Sequence, residues 1–366
     1  MKSLNISFFL PTLNIGGIER VFVTYANYLS ENKRYKCSFI LCKNEGKLLS
    51  TVSPNVEIYE LGAVKLRYSF FKLRKWLKRH QPDFIFTGGD FPNFITIISS
   101  LGLTSKVIIS QHNYYNIESK RLGWWAYSSC YLMKRIYPLA HKILAISNGI
   151  YNFLLNDIGI NSNKIVKIPN PIDINIILER SNEIIDIELP SKYIVFIGRL
   201  SYVKNLIFLF DAFEKAKLSD DIHLIIVGDG EMKHELEEKK QIMSKGQNVR
   251  FLGSLENPLP ILKNASLLVL PSLSEAYPTI LLESLCLSIP ILSTPTKGAI
   301  EILNNIPGTT ISKDCSDVNY FASSIERSII SSLDINKAQK IVEKHSINII
   351  GNKIENEIIN NNESFN

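Results

Sequence analysis

The sequence predicts an α/β protein made of two parallel-sheet halves, and three observations carry that prediction. Short apolar runs alternate with segments of helical periodicity along most of the chain. Strands separated by helix-length segments pair in parallel through crossover helices. The alternation lapses over Glu179–Ser191 and restarts at Tyr193. The chain has 366 residues, beyond the roughly 250–300 at which a single hydrophobic core usually stops growing.

In the first half the apolar runs Ile6–Leu10, Cys37–Leu41, Asp83–Phe86, Lys106–Ser110, Ile143–Ile146 and Ile165–Ile168 read as strands. Helical spacing covers Ile18–Leu29, Tyr68–His80, Phe91–Ser100, Trp124–Tyr137 and Asn148–Leu155. In the second half Tyr193–Ile197, Asp221–Val227, Asn248–Leu252, Ser266–Leu270 and Ile289–Leu292 read as strands. Helices fit Asn205–Lys217, Glu231–Ser244 and Thr279–Cys286. The domains are therefore expected at 1–180 and 181–345. The polar stretch after Ile359 reads as a frayed tail.

Composition is that of a globular protein, 45% hydrophobic and 21% charged, which excludes collagen, long disorder and disulfide scaffolds. Five cysteines with no C-x-x-C spacing read as reduced thiols of a cytosolic protein. The run Leu4–Leu10 is cut by Pro11, too short for a signal segment or a membrane span. The chain is expected to be soluble or held at a membrane from one side. Its net charge of +6 is unevenly spread. Residues 1–180 hold 23 Lys and Arg against 11 Asp and Glu, net +12; residues 181–366 hold 18 against 24, net −6.

Several loops carry candidate chemistry. Gly16-Gly17 follows the first strand and opens a helix, where backbone N–H groups face an anion. The spacing is not the G-x-G-x-x-G of dinucleotide binding. Ser110-Gln111-His112-Asn113 lies at a strand's C-terminal end, the edge where open α/β sheets bind ligands. In the second half, Gly198-Arg199-Leu200 and Lys204-Asn205 put two cations five positions apart after a strand. That suits a diphosphate, met by a planar fork and a point charge. Gly228-Asp229-Gly230 makes another strand–helix turn. The richest segment runs from Pro271 to Ser284: Glu275 precedes a helix, Pro278 suits its first turn, and Glu283 lies inside it. The N–H groups near Ala276, Tyr277, Pro278 and Thr279 would favour an anion, and two carboxylates could accept from sugar hydroxyls.

Together these pieces resemble glycosyltransferase family 4, the retaining enzymes of the GT-B fold. The resemblance is carried by Gly16-Gly17, His112, Ile168-Pro169-Asn170-Pro171-Ile172-Asp173, Gly198-Arg199-Leu200 with Lys204-Asn205, Gly228-Asp229-Gly230 and Glu275-x7-Glu283. It implies two Rossmann-like domains facing each other across a cleft, with a last helix around Ile347–Ile359 crossing back to the first. It implies that Arg199 and Lys204 bind the donor diphosphate and stabilise the leaving nucleotide. By the same resemblance Glu283 accepts from the ribose, Glu275 meets the donor sugar, and His112 sits at the reacting centre. The Gly16-Gly17 loop would close on phosphates and acceptor. Where many relatives carry glycine after the first Glu, this chain has Ala276-Tyr277-Pro278, and Lys297-Gly298-Ala299 with Glu301 is less glycine-rich than usual. No D-x-D motif occurs, so no metal or other cofactor is expected. The resemblance also admits another GT-B enzyme, such as an epimerase or phosphorylase, or an inactive scaffold. Acceptor-dependent release of UDP or GDP separates these.

The positive surplus concentrates in Lys65–Arg79, with seven cations, no acid and Phe70, Phe71, Leu73, Trp76 and Leu77 interleaved. A basic amphipathic helix with aromatics reads as a surface for anionic lipid headgroups. Tyr114–Arg135, with Lys120, Arg121, Trp124, Trp125, Lys134 and Arg135, adds a second such region. No nucleic-acid module is present. The expected partners are thus a nucleotide-sugar, a glycan on a polyprenyl diphosphate and the inner face of a bacterial membrane, in O-antigen or capsule synthesis.

Overall fold

The computed structural model describes residues 3–114 and 124–360, leaving aside the side chains of 124–127. Its first compact unit comprises residues up to Pro171 together with those from His345 onward; the second spans Ile172–Lys344. Lys120 and Arg121 lie outside the described residues, as do the side chains of Trp124 and Trp125.

The first unit runs β1 (Leu4–Leu10), α1 (Gly17–Glu31), β2 (Tyr35–Leu41), β3 (Glu57–Glu60), α2 (Ser69–His80), β4 (Phe84–Gly88), α3 (Asp90–Ser100), β5 (Lys106–Gln111), α4 (Trp124–Ile136), β6 (Lys142–Ala145), α5 (Asn148–Asn152) and β7 (Ile165–Lys167). Its seven strands are parallel in the order β3-β2-β1-β4-β5-β6-β7. β3 was not expected from the sequence. It reads Glu-Ile-Tyr-Glu on an open edge, with mostly exposed side chains and no apolar run to betray it. The central strands are apolar throughout because crossover helices cover both faces. Phe8 on β1 touches Phe22, Phe39 and Phe86, with ring centroids 5.8, 5.5 and 5.3 Å away.

The second unit runs α6 (Ile174–Arg180), β8 (Lys192–Ile197), α7 (Leu206–Lys215), β9 (Ile222–Val227), α8 (Lys233–Ile242), β10 (Val249–Gly253), α9 (Leu259–Lys263), β11 (Leu267–Leu270), α10 (Thr279–Cys286), β12 (Ile291–Ser293), α11 (Lys297–Leu303), β13 (Thr309–Ile311), α12 (Val318–Ser328) and α13 (Ile335–Lys344). Six parallel strands follow the order β10-β9-β8-β11-β12-β13. The division between units falls at Pro171, earlier than the Arg180 expected from the sequence. Asp173 caps α6 by accepting from the Ile176 N–H at 3.1 Å, and α6 then packs on α9 and α10. Glu179–Ser191 is accordingly a connection inside the second unit.

Helix α14 (Ile347–Ile354), continued by a π-helical turn over Glu355–Ile359, rejoins the first unit. Ile347, Ile350 and Ile354 enter the core around Phe8, Phe22 and Phe39. Tyr35 donates to Glu355 Oε2 at 3.1 Å, and Lys353 donates to the Lys167 carbonyl at 2.7 Å. Among the described residues no helix is long and apolar enough to cross a membrane. All five cysteines are free. Because Phe8 is fully buried among three other rings, Phe8→Ala is expected to cost about 3–5 kcal/mol, read as a lowered urea midpoint. A change below about 1 kcal/mol would show that this cluster does not hold the first sheet.

Candidate active site

Strand order reverses between β1 and β4 in the first sheet and between β8 and β11 in the second. Such reversals splay the crossover loops apart at the C-terminal strand ends and leave a crevice there. Most of the site residues singled out in the sequence fall on loops at these strand ends, in each unit separately, with Thr279 and Glu283 in the helix that follows.

In the first unit, Gly16 caps α1 with an extended backbone, and a Cβ on Gly17 would meet nothing within 4 Å. The first turn of α1 is therefore open at Gly17, whereas a Cβ on Gly16 would meet Glu19 Oε2 at 2.1 Å. Glu19 folds back beside Gly16, and burial pushes its pKa up. His112 follows β5 and is only 9% exposed; its buried Nε2 has no hydrogen-bond partner among the described residues. A Cβ on Gly88, at the end of β4, would lie 3.2 Å from that nitrogen and 2.9 Å from Ile18 Cγ2. Glycine at 88 thus leaves the ring its place at the first crevice, a role invisible in the sequence. Burial lowers the His112 pKa to about 4, so the ring is neutral at physiological pH, with one ring nitrogen as hydrogen-bond donor and the other as acceptor. Beside it, Gln111 accepts from Tyr137 Oη at 2.7 Å and donates to Asp90 Oδ1 at 3.0 Å, fixing the strand end.

In the second unit, two loops are sewn together. Leu200 N–H donates to the Asp229 carbonyl and Met232 N–H to the Leu200 carbonyl, both at 2.9 Å. Gly228 has φ +143°, and a Cβ there would meet the Gly198 carbonyl oxygen at 1.8 Å, so only glycine fits. This places Arg199 and Lys204 on a fixed support. Lys204 Nζ reaches Glu275 Oε1 at 2.5 Å, and Ser272 Oγ donates to the same oxygen at 2.6 Å. The Lys204 and Glu275 side chains are 23% and 11% exposed. Their charge-assisted contact is therefore more shielded than a surface ion pair. Arg199 is not part of that pair: its side chain is 73% exposed and meets Glu231 at 3.2 Å.

Ala276, Tyr277 and Pro278 are buried, and Pro278 holds the cap position of α10. Thr279 begins that helix and Glu283 lies half-buried within it. Burial, with the Glu301 charge adding to it, raises the Tyr277 pKa and keeps its hydroxyl protonated. Gly298 N–H donates to the Glu275 carbonyl at 3.0 Å, and a Cβ on Gly298 would come within 2.7 Å of the Ala276 backbone. Ser272 and Gly298 were missed as site residues. Their roles depend on loops converging in space, which no local spacing displays. Among the described residues, no three His, Cys, Asp or Glu side chains cluster as metal ligands would.

The pattern described as Glycosyltransferase Family 4 matches residues 15–176, and that of Glycosyl transferases group 1 matches 179–345. A Campylobacter jejuni protein is 30% identical over 315 residues, spanning 82% of each chain. It is named GalNAc-α-(1→4)-GalNAc-α-(1→3)-diNAcBac-PP-undecaprenol α-1,4-N-acetyl-D-galactosaminyltransferase. The chain belongs to glycosyltransferase family 4. An Escherichia coli UDP-Gal:α-D-GlcNAc-diphosphoundecaprenol α-1,3-galactosyltransferase is 24% identical, covering 94% of this glycosyltransferase and 90% of its own length. The crystal structure of Anabaena HepE with UDP and glucose superposes with a TM-score of 0.76 at 17% identity, over 96% of this chain and 98% of that one. The fold of the glycosyltransferase is thus GT-B.

The His112 shift has a stability consequence. With a folded pKa of about 4 against 6.5, the unfolded chain binds the extra proton between those values. Stability therefore falls as pH drops through that window, by about 3 kcal/mol when complete. His112→Gln should flatten this dependence, so its melting temperature should fall less than wild type between about pH 7 and about pH 4.5. An equal fall in both would place the sensitivity elsewhere.

Proposed function

We propose that this glycosyltransferase moves a hexose or N-acetylhexosamine from a UDP-sugar, with retention, to a glycan carried on polyprenyl diphosphate, in bacterial surface-polysaccharide synthesis. The observation that carries the reading is the Lys204–Glu275 contact of 2.5 Å at the reversal point of the second sheet. It sets a cation for phosphate beside a carboxylate for sugar hydroxyls. The acceptor class is taken from the printed names of the Campylobacter and Escherichia relatives, which act on undecaprenyl-diphosphate-linked glycans.

In this reading Lys204, Arg199 and the first turn of α10 around Ala276–Thr279 receive the diphosphate, and Glu283 accepts from the ribose. Charge grows on the leaving diphosphate during transfer, and positioned cations and helix ends stabilise it most where it grows. These groups serve in place of a metal. Glu275 orients the donor sugar, neutral His112 sits beside that sugar at the reacting centre, and the Gly16-Gly17 loop closes on phosphates and acceptor. With no side chain assigned as a covalent nucleophile, the leaving phosphate takes the acceptor hydroxyl's proton on the same face, which retains the anomeric configuration.

The membrane part of the proposal rests on α2. Leu73 and Leu77 are buried, whereas Lys65, Arg67, Lys72, Lys75, Lys78 and Arg79 are exposed. Phe71, 79% exposed, and Tyr68 stand among them. Arg74 is committed elsewhere, donating to the Ser99 and Leu101 carbonyls at 2.9 Å. On α4, Tyr131, Lys134 and Arg135 are exposed as well. In this proposal the exposed cations and aromatics of each helix attract anionic headgroups and insert aromatic edges.

A panel of UDP-galactose, UDP-N-acetylgalactosamine, UDP-glucose, UDP-N-acetylglucosamine and GDP-mannose should contain a donor that raises the melting temperature and is turned over only with lipid-linked acceptor. Glu275→Ala and Arg199→Ala should each lower that turnover by about 10²-fold; wild-type rates in both would sink the site. Changing Lys72, Lys75 and Lys78 together to Glu should weaken binding to vesicles containing phosphatidylglycerol by at least about 10²-fold. Unchanged vesicle binding would remove α2 from the membrane surface.

A further inference from the structure

We infer that Ser272 is a positioning residue for Glu275, holding its carboxylate in place while the donor diphosphate draws Lys204 away from it. The inference rests on the site reading above and adds a residue and a sequence of contacts to it. Two donors converge on Glu275 Oε1, the Lys204 ammonium at 2.5 Å and the Ser272 hydroxyl at 2.6 Å. Oε2 makes no hydrogen bond with any described residue. The carboxylate is thus held by one oxygen and presents the other.

The two donors differ in how they are held. Ser272 is fully buried, and its carbonyl accepts from Thr294 Oγ1 at 2.5 Å and from Cys315 Sγ at 3.8 Å. Its neighbours are tied down too: Leu273 N–H donates to the Val203 carbonyl at 2.8 Å, and Gly298 N–H donates to the Glu275 carbonyl at 3.0 Å. A short side chain on so fixed a backbone has one rotor and one acceptor in reach. Lys204 is a flexible stem with three donors, partly exposed. A diphosphate outbids a single carboxylate for that ammonium by its greater charge. When the ammonium turns to the phosphates, Glu275 loses its cation but keeps the Ser272 hydroxyl. Oε2 then meets the donor sugar in the orientation set before the donor arrived. Free protein holds its Glu locked by Lys and Ser; donor-bound protein holds it by Ser alone.

The assignment predicts a split between binding and turnover. Calorimetry with UDP, which needs Lys204 but no sugar contact, should give the same affinity within about twofold for Ser272→Ala and wild type. UDP release from the four UDP-sugars of the panel should fall about ten- to a hundredfold for the productive donor in Ser272→Ala. Ser272→Thr, which keeps the hydroxyl, should recover most of it if its melting temperature matches wild type. A double-mutant cycle gives a second readout independent of Thr packing: in a Glu275→Gln background, Ser272→Ala should add little further loss. Wild-type turnover in Ser272→Ala, additive losses in the cycle, or UDP affinity falling in step with turnover would each overturn the role of Ser272. A wild-type protein that neither binds UDP nor releases it from any of the four donors would instead overturn the site reading beneath it.

Discussion

The structure depends on a constraint of parallel pairing. Parallel strands can be joined only by crossovers, so every C-terminal strand end of a sheet gathers on one edge. In this chain each sheet reverses its order once, at β1/β4 and at β8/β11, and the loops beside those reversals hold the candidate site residues. Gly16-Gly17 and Gly88 flank one reversal; Gly198-Arg199 and Pro271–Glu275 flank the other. The rest of each unit, the Phe8 ring cluster included, holds those loop ends still.

Charge is distributed to match. The second unit's half of the sequence is net negative, yet it holds the residues assigned to an anionic donor. It does so because a few cations fixed by neighbouring loops count for more than the total, and total charge bears on long-range attraction rather than on a site. Lys204 stands beside Glu275 and Arg199 beside Glu231, so each cation already has an acid for a partner. The first half carries part of its surplus on exposed positions of Lys65–Arg79, a stretch that contains no acid. The same overall number therefore describes two unlike surfaces.

Much of the fold was legible because buried parallel strands are continuous apolar runs, and β1, β5, β8 and β11 announce themselves that way. β3, with two glutamates, and β13, with three residues Thr-Thr-Ile, carry no such signal and were not read. The compact units divide at Pro171, before the loop at Glu179–Ser191 that the loss of periodicity marks, whereas the two family patterns divide between 176 and 179, close to the expected boundary. At the site, the types and order of Arg199, Lys204, Glu275 and Glu283 were readable as spacing. Which cation meets which acid was not. Arg74 looked interchangeable with its basic neighbours, and only the fold shows it bound to carbonyls near the end of α3.

The return of α14 makes the second unit an insertion within the first. A ribosome emits β1 to β7 and then the whole of Ile172–Lys344 before the isoleucines that seal α1 appear. At roughly 5–20 residues per second that interval is roughly 10–35 s. For that long the nascent first unit carries an open apolar seam along α1, where Tyr28 and Gly351 finally meet. Completion of the first sheet's packing is therefore a late event in the polypeptide's birth, and a chain released early leaves that seam for chaperones to cover.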